Sequence, residues 1–109
     1  MLGKVAKGGG YDGKLDWSEM KGKLGYKPHS GTLNVMLEQP FTVTGGIELI
    51  NSFIAYPGYI NGTPCHVCCK AEDVTVNQNV DRRKVWIVAP VRLRDKLNLS
   101  DGQEVDVQF

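Results

Sequence analysis

From Pro40 onward the apolar residues come only in short runs, and Gly, Pro, Asn or Asp breaks almost every one. A chain patterned this way cannot present the sustained 3.6-residue stripe of a helical protein. Strand-length runs bounded by turn residues lead instead to a mainly β fold. The runs fall at residues 41–44, 47–50, 53–56, 64–70, 74–76, 85–88 and 105–109. Pro57-Gly58 and Asp101-Gly102 read as turns, and Asn61-Gly62 suits a hairpin. Residues 77–83 are polar and read as a loop, and residues 85–88 as a buried strand.

The N-terminal third obeys the same logic. Residues 3–7 and 32–37 are strand candidates, separated by the glycine-rich segment 8–13 and one short helix. Asp16 with Glu19 resembles a capping box. Trp17, Met20, Lys21 and Leu24 share one side, and Gly25 is the expected stop. Pro28 and Gly31 mark the loop that follows. Pro90 opens a second short helix running to Leu97. Short strands at this spacing, with two small helices, predict a compact β-barrel.

A length of 109 residues argues for one domain, covering 1–109. The formal net charge of +1 gives no electrostatic reason to expect nucleic acid or an anionic membrane as partner. No apolar run approaches the ~20 residues that span a bilayer, and the first residues lack a signal-peptide stretch. The expected location is the cytoplasm.

Cys65, His66, Cys68 and Cys69 cluster tightly, but the only other His is His29 and no second Cys pair exists. Structural zinc sites draw a second ligand pair from elsewhere. On a strand, Cys65 and Cys68 also point to opposite faces. The cysteines therefore read as small apolar residues filling a core strand.

Three segments hold residues suited to chemistry. Glycines 8, 9, 10 and 13 would let backbone N–H groups approach a phosphate, although no Gly-Lys-Ser/Thr follows and a flexible turn is the simpler reading. Thr32 and Asn34 sit two apart, so a hydroxyl and a carboxamide oxygen share one strand face. Hard oxygen donors suit Mg²⁺ that takes its remaining charge from phosphates; local backbone satisfaction at a turn is the alternative. Arg92 and Arg94 could pair with phosphate or ribose, or be solvated. Asp95, Lys96 and Asp101 read as surface charges. Nothing in the spacing of Asp12, Asp16, Glu19 or Glu38 marks a general base.

Taken in order, Val5 to Gly13, "LGYKPHSGTLNVML" and "IVAPVRLRDKLNLSDGQEV" resemble the archaeal-type CTP-dependent riboflavin kinases and their bacterial relatives. Residues 31–35 carry the most specific match. The resemblance implies a six-stranded cradle-loop (RIFT-like) barrel. It implies transfer of the γ-phosphate of CTP to the 5′-hydroxyl of riboflavin, giving FMN and CDP. It implies that Thr32 and Asn34 hold Mg²⁺, and that Gly8, Gly9, Gly10, Tyr11, Asp12 and Gly13, together with Val91, Arg92, Leu93 and Arg94, bind the nucleotide. Lys7 or Arg94 would take the remaining phosphate charge.

Three departures bear on the acceptor. Trp86 stands where the family often has a Glu in the flavin site, so an indole that packs or stacks replaces a hydrogen-bonding carboxylate. The flavin-side Thr of the family falls near residues 75–79, without an aligned counterpart, and Tyr11 replaces a Glu or Ala of the glycine loop. The alternatives are a kinase of the same fold acting on another small hydroxyl compound, and a non-catalytic nucleotide- or flavin-binding or interaction barrel. An AbrB-like DNA-binding barrel is disfavoured by the near-neutral charge.

Overall fold

The computed structural model describes residues 1–6, 17–29, 32–39, 46–49, 53–70 and 84–109, with the side chains of 17–20 and 70 outside that description. The sequence-based expectations for Lys7, the glycine segment 8–13, the Asp16 cap, Gly31, residues 41–44 and residues 74–83 lie outside the described residues. The elements are β1 (Leu2–Ala6), α1 (Trp17–Leu24), β2 (Leu33–Leu37), β3 (Ile47–Glu48), β4 (Phe53–Ile60), β5 (Thr63–Lys70), β6 (Lys84–Val88), α2 (Leu93–Lys96) and β7 (Glu104–Gln108).

Six antiparallel strands pair in the cyclic order β4-β5-β6-β2-β1-β7, and β7 returns to β4 through Tyr59–Gln108 and Ile60–Val107. The ring so closed is the expected six-stranded barrel. The two-residue β3 lies on the edge of β4, opposite Ile54 and Ala55, as a seventh strand outside the ring.

Side chains alternate across this wall. Val5, Val35, Val67, Ile87, Val105 and Val107 belong to one cluster drawn from strands all round the ring, which fills the barrel. The opposite face of β4, β5 and β6 carries a second cluster of Leu49, Phe53, Ala55, Cys68, Trp86 and Val88, covered by Leu24 of α1 and Ile47 of β3. β6 is therefore buried on both sides, which explains its unbroken apolar run.

Several local signals act as expected. Asn61 (φ 47°) and Gly62 (φ 80°) both take positive φ, as a two-residue I′ hairpin between β4 and β5 requires. Gly25, at φ 86°, ends α1 and donates its N–H to the Lys21 carbonyl at 3.2 Å. The second helix is shorter than expected: Arg92 is still extended (φ −75°, ψ 106°), so α2 begins at Leu93 rather than Pro90. No helix among the described residues is long and apolar enough to cross a membrane.

Pro57-Gly58 is not a turn. β4 runs straight through it, with Pro57 opposite His66 and Gly58 opposite Cys65. On the other edge of β4, β3 pairs only as far as Ala55 and β7 begins at Tyr59, so Pro57 falls in the gap where no strand needs its missing N–H. Gly58 marks the closure itself. A Cβ there would run into the Gln108 carbonyl oxygen and come within 2.9 Å of the Phe109 Cβ.

Two glycine substitutions test this packing. Gly58→Ala must push β7 off β4 and is expected to destabilise the protein by about 1–3 kcal/mol. Gly22→Ala, in α1 with nothing within 4 Å, is expected to stabilise by roughly 0.5–1 kcal/mol. Thermal unfolding of both variants gives the two opposite shifts.

Candidate active site

The C-terminal end of β1, the start of β2 and the end of β6 meet at one rim of the barrel, because β2 runs antiparallel to both neighbours. Asn34 sits there between Ala6 and Trp86, in register with each. Its side chain is on the outward face, yet the residue is only 3% exposed and is the one buried polar residue among the described residues. Ala6, at the end of β1 and next to Asn34, is the last described residue before the glycine-rich segment of the sequence.

Arg94 reaches the same place from α2. Its Nη2 donates to the Ala6 carbonyl at 3.3 Å and to Asp101 Oδ1 at 2.7 Å. Arg94 is thus a brace between the end of β1 and the turn before β7. Gly102 N–H to Val5 O and Val5 N–H to Gln103 O (2.9 Å) knit the same junction. Asp101, expected as a surface charge, supplies the carboxylate of this brace.

The other residues of the 91–94 segment divide by position. Val91 is exposed, and Arg92 is exposed and pairs loosely with Asp95 at 3.5 Å. Leu93 is buried in the barrel cluster, so only its backbone is available to a ligand. Thr32 is half-buried and precedes β2 by one residue, which continues the row one step beyond the Leu33–Ile87 pair. The preceding loop is tied to β6 by the His29 N–H, which donates to the Ala89 carbonyl at 2.8 Å.

Trp86 is 3% exposed and meets Phe53 edge-on, with ring centroids 5.6 Å apart at 84°. The Lys84 ammonium lies 5.8 Å from its ring centroid. The indole is therefore packed into the second cluster, immediately beside Asn34.

The cysteines fill space on both faces of β5. Cys65 and Cys69 belong to the barrel cluster and Cys68 to the outer one. Burial pushes the Cys65 thiol up to about 12 and raises Cys68 as well, which makes them poor thiolates. Among the described residues no group of three His, Cys, Asp or Glu is placed to hold a metal.

One pair is invisible in the sequence. Tyr26, just after α1, places its hydroxyl 2.8 Å from His66 Nδ1 and 3.3 Å from the Val88 carbonyl. The rings lie 5.4 Å apart. No local pattern joins residues 40 positions apart; the outward position of His66 on a strand was the only available signal. Burial lowers the His66 pKa below its usual 6.5 and raises that of the Tyr26 phenol.

A pH dependence of stability follows. With the folded pKa below the unfolded value, the unfolded chain binds the proton first. The His66 contribution is complete above about pH 6.5 and is lost as pH falls through the lowered folded value. The melting temperature is expected to drop between pH 7 and pH 5, and His66→Gln should flatten that drop.

The family model CTP-dep_RFKase, described as "Domain of unknown function DUF120", matches residues 8–109. The chain is 33% identical over 98% of its length to a riboflavin kinase of Methanocella arvoryzae, covering 55% of that protein. It is 34% identical over 80% of its length to a riboflavin kinase of Pyrobaculum aerophilum, covering 47% of that one. A riboflavin kinase of Sulfurisphaera tokodaii is 26% identical over 97% of the chain and is itself covered over 91%. Against the first two, the chain spans about half the length of the relative. The match over residues 8–109 takes in both helices and every strand after β1, so this chain belongs to the CTP-dep_RFKase family.

Proposed function

We propose that residues 1–109 form one kinase unit that transfers the γ-phosphate of CTP to the 5′-hydroxyl of riboflavin, giving FMN and CDP with Mg²⁺. The observation that carries this reading is the meeting of Asn34, Ala6 and Arg94 at one rim of the barrel, beside the root of the glycine-rich segment. Relatives bearing the name riboflavin kinase support it.

The donor set fits the metal. Thr32 and Asn34 supply neutral, hard oxygens two residues apart, and Asn34 is held in place by burial. They would hold Mg²⁺, which, when bound, supplies positive charge to the phosphate oxygens. Backbone N–H groups of Gly8 to Gly13 would cradle the phosphates, with Tyr11 and Asp12 in the same segment and Lys7 at its root. Arg94 holds the Ala6 carbonyl, at the end of β1. Exposed Val91 and Arg92, with the Leu93 backbone, line the nucleotide side. Positioning and charge neutralisation are the main work of such a site.

On the acceptor side Trp86 works by packing. Buried next to Asn34 and backed by Phe53, it would support the acceptor side from behind as rigid apolar packing, in place of a carboxylate. The same residue favours a second reading, a kinase of this fold whose acceptor is another small hydroxyl compound.

Chromatography for FMN, after incubation with riboflavin, Mg²⁺ and either CTP or ATP, separates these readings. The proposal expects FMN with CTP and little with ATP. No FMN from folded protein with either nucleotide contradicts it. Asn34→Leu is expected to lower Mg²⁺-dependent turnover by 100-fold or more, roughly the scale on which removing a single charge-stabilising group acts, with little change in melting temperature. Turnover equal to the parent at the same Mg²⁺ concentration removes the metal role of Asn34.

A further inference from the structure

The turn before β7 places one carboxylate, that of Asp101, at the end of β1. Residues 100–103 form a closed turn. The Gln103 N–H donates to the Ser100 carbonyl at 3.1 Å, and Gly102 takes a φ of 82°, as the third residue of a type II turn requires. Gly102 donates its own N–H to the Val5 carbonyl, and the Val5 N–H donates to the Gln103 carbonyl at 2.9 Å. The turn is thereby fixed to β1, with Asp101 in its middle.

The same bonds say which way the next residue of β1 faces. Both polar backbone groups of Val5 face the turn and β7, so those of Ala6 face the other neighbour, β2. Asn34 is the β2 residue opposite Ala6. The Arg94 Nη2 donates to that Ala6 carbonyl at 3.3 Å. With a ladder bond of about 2.9 Å between Ala6 and Asn34, the guanidinium nitrogen stands within roughly 6 Å of the Asn34 backbone. The positive charge of α2 is therefore held next to the buried carboxamide.

Nη2 has two N–H groups, and both are engaged, one by Ala6 and one by Asp101 Oδ1 at 2.7 Å. Nη1 and Nε keep three N–H donors that have no hydrogen-bond partner among the described residues. Of the two anchors the Asp101 bond is the shorter and the charge-assisted one. The pair is partly open to solvent, with side chains 29% and 57% exposed, so it adds little to stability. What it supplies is direction, because a long arginine side chain otherwise samples many rotamers.

We propose that Asp101 is a positioning residue for phosphoryl transfer, holding Arg94 so that the remaining guanidinium N–H groups meet the nucleotide phosphates beside Asn34. The proposal rests on the kinase reading above. The carboxylate touches neither nucleotide nor acceptor and acts through Arg94. Its negative charge, taken alone, opposes phosphate binding. A loss of binding when Asp101 is truncated therefore reports lost orientation, since the change in charge acts in the opposite sense.

The test is steady-state FMN formation by the parent, Asp101→Ala, Asp101→Asn, Arg94→Ala and the double variant Arg94→Ala/Asp101→Ala, with CDP–Mg²⁺ affinity and melting temperature measured on each. Arg94→Ala is expected to lose about 100-fold in kcat/KM. Asp101→Ala should lose about ten-fold in kcat and bind CDP more weakly, on the scale at which small misplacements act. Asp101→Asn, which keeps an acceptor oxygen, should stay within about three-fold of the parent. The double variant should be no worse than Arg94→Ala, because residues that act through one another are not additive. Parent-like kcat and CDP affinity in Asp101→Ala overturns the proposal, as does an equal further loss when Asp101→Ala is added to Arg94→Ala; either leaves the kinase reading standing. If Asp101→Ala does not fold, the Arg94 Nε–H resonance of the parent decides. A shift on saturation with CDP–Mg²⁺ supports the proposal, and an unchanged signal overturns it. A parent protein that makes no FMN overturns both the proposal and the kinase reading.

Discussion

The rest of the molecule depends on one short ladder, the pairing of Tyr59 and Ile60 on β4 with Gln108 and Val107 on β7. Without it the six strands form an open sheet with two long edges exposed to pairing with other chains. With it, β7 is held between β4 and β1, and the interior becomes a sealed cluster to which every ring strand contributes. Gly58 permits that approach, since any side chain at this point would occupy the space of the Gln108 backbone. The closure also holds the turn before β7 under the end of β1, where Arg94 joins Asp101 to Ala6.

Because the interior is filled with apolar side chains, chemistry must sit on the outer face or the rim. The candidate site uses both. The outward positions of β2, β6 and β5 give the row Asn34–Trp86–Cys68, and beyond it Val88 on β6 faces His66 on β5. The row carries a buried oxygen donor beside a packed indole, and Tyr26 meets His66 at its edge. Apolar packing behind them, from Phe53, Ala55 and Leu49, supplies the rigidity that precise positioning needs.

Local features were legible wherever one residue type has one conformational reason to be present. Asn61-Gly62 marks its hairpin and Gly25 ends its helix because both depend on positive φ. The cysteines divide between faces by strand periodicity alone. What escaped the sequence was tertiary. Pro57-Gly58 carries the letters of a turn, but its reasons are a gap between two neighbouring strands and a crossing backbone. The start of α2 slipped from Pro90 to Leu93 because the leucine must enter the core. Asp101 read as a surface charge and Arg94 as a phosphate or ribose partner or a solvated cation, with no sign that the two meet, and the Tyr26–His66 pair has no local signature at all.

The central claim is that one outward rim, centred on Asn34, holds the metal–nucleotide complex. The most direct measurement is a nuclear magnetic resonance titration of the labelled protein with CDP and sub-stoichiometric Mn²⁺ standing in for Mg²⁺. The account predicts selective paramagnetic broadening of the Asn34 side-chain amide and the Thr32 and Ala6 backbone signals, with β7 signals such as Asp106 unaffected. Broadening centred elsewhere, with Asn34 and Thr32 sharp at saturating nucleotide, would contradict it.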